Sequence, residues 1–154
     1  MNRSVPLHPK APPRPLANAE RSALECIADA LVPARGDDTA PSATPDYARH
    51  LDRALAARDD AFDAVVEAAT RLAALDDAAR GAELRALHAA GDPTFQALSA
   101  VVCGAYLTVP EVRTRIGYPG QERSPAPFDL AAEEIMDGIL DPVREQGEHR
   151  GRAS

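Results

Sequence analysis

Apolar residues recur at helical spacing along most of this chain. Leu24, Ile27, Ala28 and Leu31 follow the i, i+3, i+4, i+7 rule, which predicts a helix over 18–31 with one buried face. Glu20 suits its positive end, and Pro33 and Gly36 stop it. Residues 37–43 are small and polar and read as a loop. Thr44-Pro45-Asp46 offers a hydroxyl cap, a proline at the first helical position and an acid, so a second helix is expected to open there. Tyr47, Leu51 and Leu55 make one stripe; Phe62, Val65, Val66, Ala69 and Leu72 make another. The two stripes belong either to one long helix or to two helices parted around Arg58–Asp60. Asp76 or Asp77 caps a further helix that passes Leu84 and Leu87 and ends near Gly91. Asp92-Pro93 repeats the cap-and-proline signal ahead of Phe95, Leu98, Val101, Val102 and Tyr106, the most apolar stretch and the expected centre of the molecule.

Thr108-Val109-Pro110-Glu111 has the form of a capping box, with Glu111 placed to reach back to the Thr108 amide. The short helix it opens is expected to turn Val112 and Ile116 inward and to stop at Gly117. Residues 117–127, rich in proline and glycine, predict an irregular loop. A last helix over 129–144 would bury Leu130, Ile135, Ile139 and Leu140, with Pro142 kinking or shortening it. No alternating strand pattern appears. The expected fold class is therefore all-α: a single-domain bundle of about five to seven helices over residues 16–146, between an irregular arm (1–15) and a polar tail (147–154).

Composition changes this picture in three places. The first 15 residues hold five of the 14 prolines and no acid, so the arm forms no helix; it is either disordered or extended along a partner. Hydrophobic residues make up 45% of the 154, but aromatics only 4%, with no tryptophan. The core must then be Ala, Leu and Val, giving a modestly stable domain that gains from a partner covering it. A formal charge of −7 removes the phosphate attraction on which nucleic-acid binding depends. The longest apolar run, 97–107, is interrupted by Ser99 and Gly104 and is too short to span a bilayer. No hydrophobic signal region and no Arg-Arg pair occur. The expected location is cytoplasmic, or periplasmic only if another subunit carries the chain.

Catalytic chemistry has little to stand on. GxGxxG, P-loop, HExxH, GxSxG and Glu-x-x-His patterns are all missing. His8, His50, His88 and His149 fall in the tails or on polar helix faces and read as solvated side chains. Asp59-Asp60, Asp76-Asp77 and Glu133-Glu134 are adjacent pairs, which a helix points about 100° apart, away from any shared acid–base site. Cys26 and Cys103 form no CxxC; they read as two partly buried thiols, or as a disulfide joining two helices. No cofactor or metal is expected in this chain.

Two segments carry a resemblance. Residues 105–120 read Ala-Tyr-Leu-Thr-Val-Pro-Glu-Val-Arg-Thr-Arg-Ile-Gly-Tyr-Pro-Gly, and residues 16–34 open on Leu-Ala-Asn-Ala-Glu-Arg and close on Ala28-Asp29-Ala30-Leu31-Val32-Pro33-Ala34. Both resemble the gluconate 2-dehydrogenase subunit 3 family, with its opening helix, its Tyr, its capped Pro-Glu-Val helix and its Gly-Tyr-Pro-Gly loop in this order. The resemblance implies a non-catalytic, cofactor-free small subunit paired with a large FAD-dependent dehydrogenase or oxidase of the glucose-methanol-choline type. Substrates of such complexes are sugars, sugar acids or polyols, and a cytochrome often takes the electrons onward. The small subunit assists folding and flavin loading of its partner and, in exported members, its twin-arginine export; this chain departs from those members by lacking the signal. Independently of the resemblance, Tyr118 beside Pro119 makes a rigid aromatic anchor, unless it folds back onto its own bundle. Arg113 and Arg115 stand ready to pair with a partner's acids. The expected partner surface is thus Arg113, Arg115, Tyr118, Pro119 and Gly120. The other reading is a free-standing helical interaction or scaffold protein without an enzyme partner.

Overall fold

The computed structural model describes residues 11–118. These residues form six α-helices and two 3₁₀ turns, and no strand beyond a two-residue bridge between Arg35 and Asp38. The expected last helix over 129–144 and the 147–154 tail lie outside the described residues, as do His8, His149 and Glu133-Glu134.

Helix α1 (Asn18–Leu31) has the predicted bounds. Its N-cap, Ala17, has no side chain to accept a hydrogen bond, so the cap is made from the other side. The Glu20 carboxylate accepts the Ala17 amide at 2.8 Å and is held by Arg14 at 2.7 Å. The Arg14 hydrogen bonds, and then the amide, hold the Glu20 carboxyl down at about 2. Arg14 also lies 5.1 Å from the centroid of the Phe62 ring. A residue assigned to the arm is therefore fastened to the bundle.

The two middle stripes belong to two helices, α2 (Tyr47–Ala57) and α3 (Phe62–Ala73), parted by a 3₁₀ turn at Asp59–Ala61. Thr44 does not cap α2, contrary to the sequence expectation. Its hydroxyl donates to the Ala40 carbonyl at 2.9 Å, within a 3₁₀ turn at Pro41–Ala43, and the helix starts three residues later behind Asp46. Local side-chain-to-carbonyl bonding has competed with capping. Asp46 adopts a left-handed backbone, φ 63°, to make the entry.

Helices α4 (Asp77–Ala89) and α5 (Pro93–Leu107) both open on an aspartate cap: Asp76 accepts from Ala79 and Asp92 from Phe95, each at 2.8 Å. Helix α4 ends in a Schellman turn at Gly91, φ 64°, where the Asp92 amide reaches back to Leu87. Helix α5 is the centre, as its apolar run predicts. It buries Phe95, Ala97, Leu98, Val101, Val102, Ala105 and Tyr106 and touches all five other helices. Leu24 and Ile27 of α1, Leu51 and Leu55 of α2, and Val65, Ala69 and Leu72 of α3 complete one core. Tyr47 adds a polar staple: its hydroxyl, buried and pushed to a higher pKa by that burial, donates to the Val102 carbonyl at 3.1 Å. Cys26 and Cys103 are free and partly buried. No described helix is long and apolar enough to cross a membrane.

Candidate functional site

Helix α6 (Pro110–Arg115) carries the residues singled out from sequence. Its start differs from the expected capping box. The N-cap is Val109, not Thr108, and no side chain caps the helix. Thr108 instead ends α5, and its hydroxyl donates to the Ala105 carbonyl at 2.8 Å. Pro110 at the first position has no amide to satisfy, which lowers the need for a cap. Val109 and Val112, both fully buried, hold the short helix down.

The far end of α6 is a Schellman turn. Gly117, φ 70°, supplies the left-handed residue; its amide donates to Thr114 at 3.1 Å and the Tyr118 amide to Arg113 at 2.9 Å. That 6→1 bond sets Tyr118 over the start of the last turn, where the Arg113 guanidinium lies 5.8 Å from its ring centroid. Tyr118 does not fold back as a core plug: it is 54% exposed. Tyr106 behaves the other way, as its place in the α5 stripe predicts. It is buried, and its hydroxyl donates to the Thr39 carbonyl at 3.1 Å.

Ile116 corrects the sequence reading. It was expected to follow Val112 inward, yet it is 57% exposed, because α6 stops at Arg115 and Ile116 falls on the cap. Arg115 is committed within the chain. It pairs with Asp38 at 2.8 Å, which raises its pKa further. Gly36, φ 58°, makes the tight turn in which Arg35 and Asp38 exchange backbone hydrogen bonds, and this turn presents Asp38 to α6. Between the turn and α6 lies an open cleft of about 340 Å³, walled by Leu31, Val32, Pro33, Tyr106, Val112 and Ile116. Asp29, in the other segment that carries the resemblance, accepts the Ser42 amide at 2.9 Å and steadies the same loop. The two segments, distant in sequence, thus meet at one cleft. Pro119 and Gly120 lie outside the described residues.

His50 was expected on a solvated helix face and is instead 7% exposed. Its Nδ1 lies 2.9 Å from the Thr108 hydroxyl, and its Nε2 is buried without a hydrogen-bond partner. The pattern that hid it is local: Arg49 and Arg53 flank it on α2, while the residue that covers it comes from the α5–α6 corner, 58 positions away.

Among the described residues no group of His, Cys, Asp or Glu is arranged to hold a metal ion. What the α6 end offers is a surface. Leu107, Ile116 and Tyr118 are the exposed large hydrophobic residues described, and all fall within twelve positions of one another. The chain matches no family model, no curated protein and no solved structure.

Proposed function

We propose that this chain is a cofactor-free accessory subunit that docks, through the α6 end, on a large FAD-dependent dehydrogenase or oxidase of the glucose-methanol-choline type. The observation that carries the docking is the concentration of large exposed apolar side chains at 107–118, beside Arg113. Solitary exposed apolar residues are ordinary on protein surfaces, but Ile116 and Tyr118, two positions apart at the end of α6 with Arg113 against the tyrosine ring, have the composition of an interface centre. The nature of the partner rests on the resemblance of residues 16–34 and 105–120 to the gluconate 2-dehydrogenase subunit 3 family. On this reading flavin and substrate belong to the partner, and the small subunit stabilises or matures it.

The test is co-expression with such a flavoprotein, followed by capture on a tag carried by this chain. Removing the Tyr118 ring or the Arg113 guanidinium is expected to weaken capture on the order of thirtyfold, the equivalent of about 2 kcal/mol for an interface anchor. Normal capture by both Tyr118→Ala and Arg113→Ala sinks this surface as the interface. The chain purified alone is expected to show no flavin absorbance; stoichiometric flavin in it overturns the assignment of the cofactor to the partner.

A further inference from the structure

His50 is built in a way that its role as a helix residue does not require. The Thr108 hydroxyl has one proton, and that proton goes to the Ala105 carbonyl. Thr108 Oγ1 must therefore accept from His50 Nδ1–H, which leaves Nε2 as a bare lone pair in the interior. Among the described residues the other buried side-chain nitrogen without a partner, Arg21 Nη1, belongs to a guanidinium already paired with Asp52 at 2.9 Å. Unpartnered buried polar atoms are rare enough to ask for a reason. Here the ring bridges α2 to the residue that ends α5, one position before the N-cap of α6. It holds the corner from which Arg113, Arg115 and Tyr118 are presented.

We propose that protonation of His50 unlocks the α5–α6 corner and so regulates the docking surface, the second half resting on the docking reading above. A second proton on Nε2 makes a buried cation with no acceptor for its new N–H. Swinging the ring into water relieves this and breaks the Nδ1–H···Thr108 bond. The charges that act on the ring are Arg49 and Arg53 from its own helix, which oppose protonation, and Asp46 at the helix start and Glu111 from α6, which favour it. Burial is the largest influence and, with the two arginines, lowers the affinity for the proton below that of an ordinary histidine. The sign follows. The stabilisation from the neutral ring is complete above the unfolded value, about 6.5, and is lost as pH falls from there through the lower folded value.

The experiment uses the full chain alone: amide hydrogen exchange of residues 109–118 at pH 7.5 and 5.5, corrected for intrinsic rates, in the wild type and in His50→Asn. The asparagine amide nitrogen keeps a donor near Nδ1 and does not titrate. Wild-type protection at 109–118 is expected to fall severalfold more than that of the variant on acidification. An NMR titration of the wild-type imidazole provides a second readout that needs no variant, with a midpoint expected below the ordinary histidine value. Equal pH responses of the two proteins, or a ring that titrates at or above the ordinary value, overturns the switch. Capture of the flavoprotein partner is then measured at the same two pH values. Loss of wild-type capture at pH 5.5, restored in His50→Asn, supports the coupling. A corner that loosens while capture stays unchanged leaves the pH-sensitive corner standing, overturns its regulation of docking and moves the interface away from the α6 end.

Discussion

Helices α4 and α5 begin alike and end up held by different forces. Each opens on an aspartate that accepts a 2.8 Å hydrogen bond from the third residue on, and they are similar in length, 13 and 15 residues. Yet α5 buries seven side chains and α4 buries Leu84 alone. Much of what fastens α4 beside Leu84 and the half-buried Leu87 is polar. The Arg80 guanidinium donates to the Leu72 carbonyl at 3.3 Å and the Leu75 carbonyl at 2.6 Å, closing the C-terminus of α3. Arg71 and Glu83 add an exposed pair at 3.3 Å. A cap sets where a helix starts, but buried apolar area decides how hard it is to remove, because exposed ion pairs contribute little. Helix α4 therefore belongs to the part of the molecule that opens first.

The largest expected effect breaks the core side of this comparison. Leu98 is fully buried at the centre of α5, so Leu98→Ala leaves a cavity that its neighbours cannot fill. A cost of about 3 kcal/mol is expected, seen as a lower urea midpoint for the whole transition. Leu84→Ala removes the same atoms from a helix with nothing else buried and should cost no more than about half as much. Equal costs would mean that α4 is as integral to the core as α5.

The caps give a smaller contrast. Asp92→Ala and Asp76→Ala each delete one side-chain acceptor, worth about 1 kcal/mol. For Asp92 the loss should lower global stability, because α5 cannot fray without opening the core. For Asp76 it should appear mainly as faster amide exchange within 77–89, with a lesser change in the global midpoint. The same global shift for both variants would contradict the division.

Helix α1 adds a third kind of start, capped by Glu20 rather than by its N-cap residue. Its carboxyl sits at about 2 in the folded chain, lowered first by Arg14 and then by the Ala17 amide. A depressed carboxylate contributes stability above its unfolded value, about 4.3, and loses it as pH falls toward 2. Thermal melts of the wild type should therefore decline through this window more steeply than those of Glu20→Gln. The pair is exposed, so the difference should be slight and should shrink in high salt. A difference that persists unchanged in 1 M salt would point to a cause other than this pair.

Much of the fold was legible because helical periodicity is local. The stripes in α1, α3 and α5 and the Asp-Pro start of α5 need no knowledge of the partner helices. The failures at polar side chains have two physical origins: hydroxyls that bonded to nearby carbonyls instead of capping, and side chains whose partners lie far away in sequence. Thr44 and Thr108 both had the form of N-caps, and both gave their hydroxyls to carbonyls earlier in the chain, Ala40 and Ala105. His50 had charged neighbours in sequence and a cover 58 positions away. Arg115 had an acid available 77 positions back, at Asp38, and so was already paired within the chain. Ile116 kept the spacing of a buried residue, but its helix ended one position before it. Positions of α6 were readable; the partners of its side chains were not.

The smallest expected effect on stability falls on Tyr118, and it sharpens the contrast between the two tyrosines near α6. Tyr106 is buried in the α5 stripe and clamps the Thr39 carbonyl, so Tyr106→Ala should destabilise the lone chain by about 2–3 kcal/mol, no more than Leu98→Ala. Tyr118 is more than half exposed, and what it touches is the Arg113 guanidinium, at the exposed end of a six-residue helix. An exposed cation–π contact is worth about 0.5–1 kcal/mol, and part of that returns when the guanidinium is rehydrated. The 6→1 bond that closes the helix uses the Tyr118 backbone amide, which alanine retains. Tyr118→Ala should therefore shift the urea midpoint of the lone chain by less than about 0.5 kcal/mol. The same substitution is expected to weaken flavoprotein capture on the order of thirtyfold. A residue that is nearly silent in folding and costly in capture is an interface residue; a Tyr118→Ala chain that melts far below the wild type would place the ring in the structural framework instead.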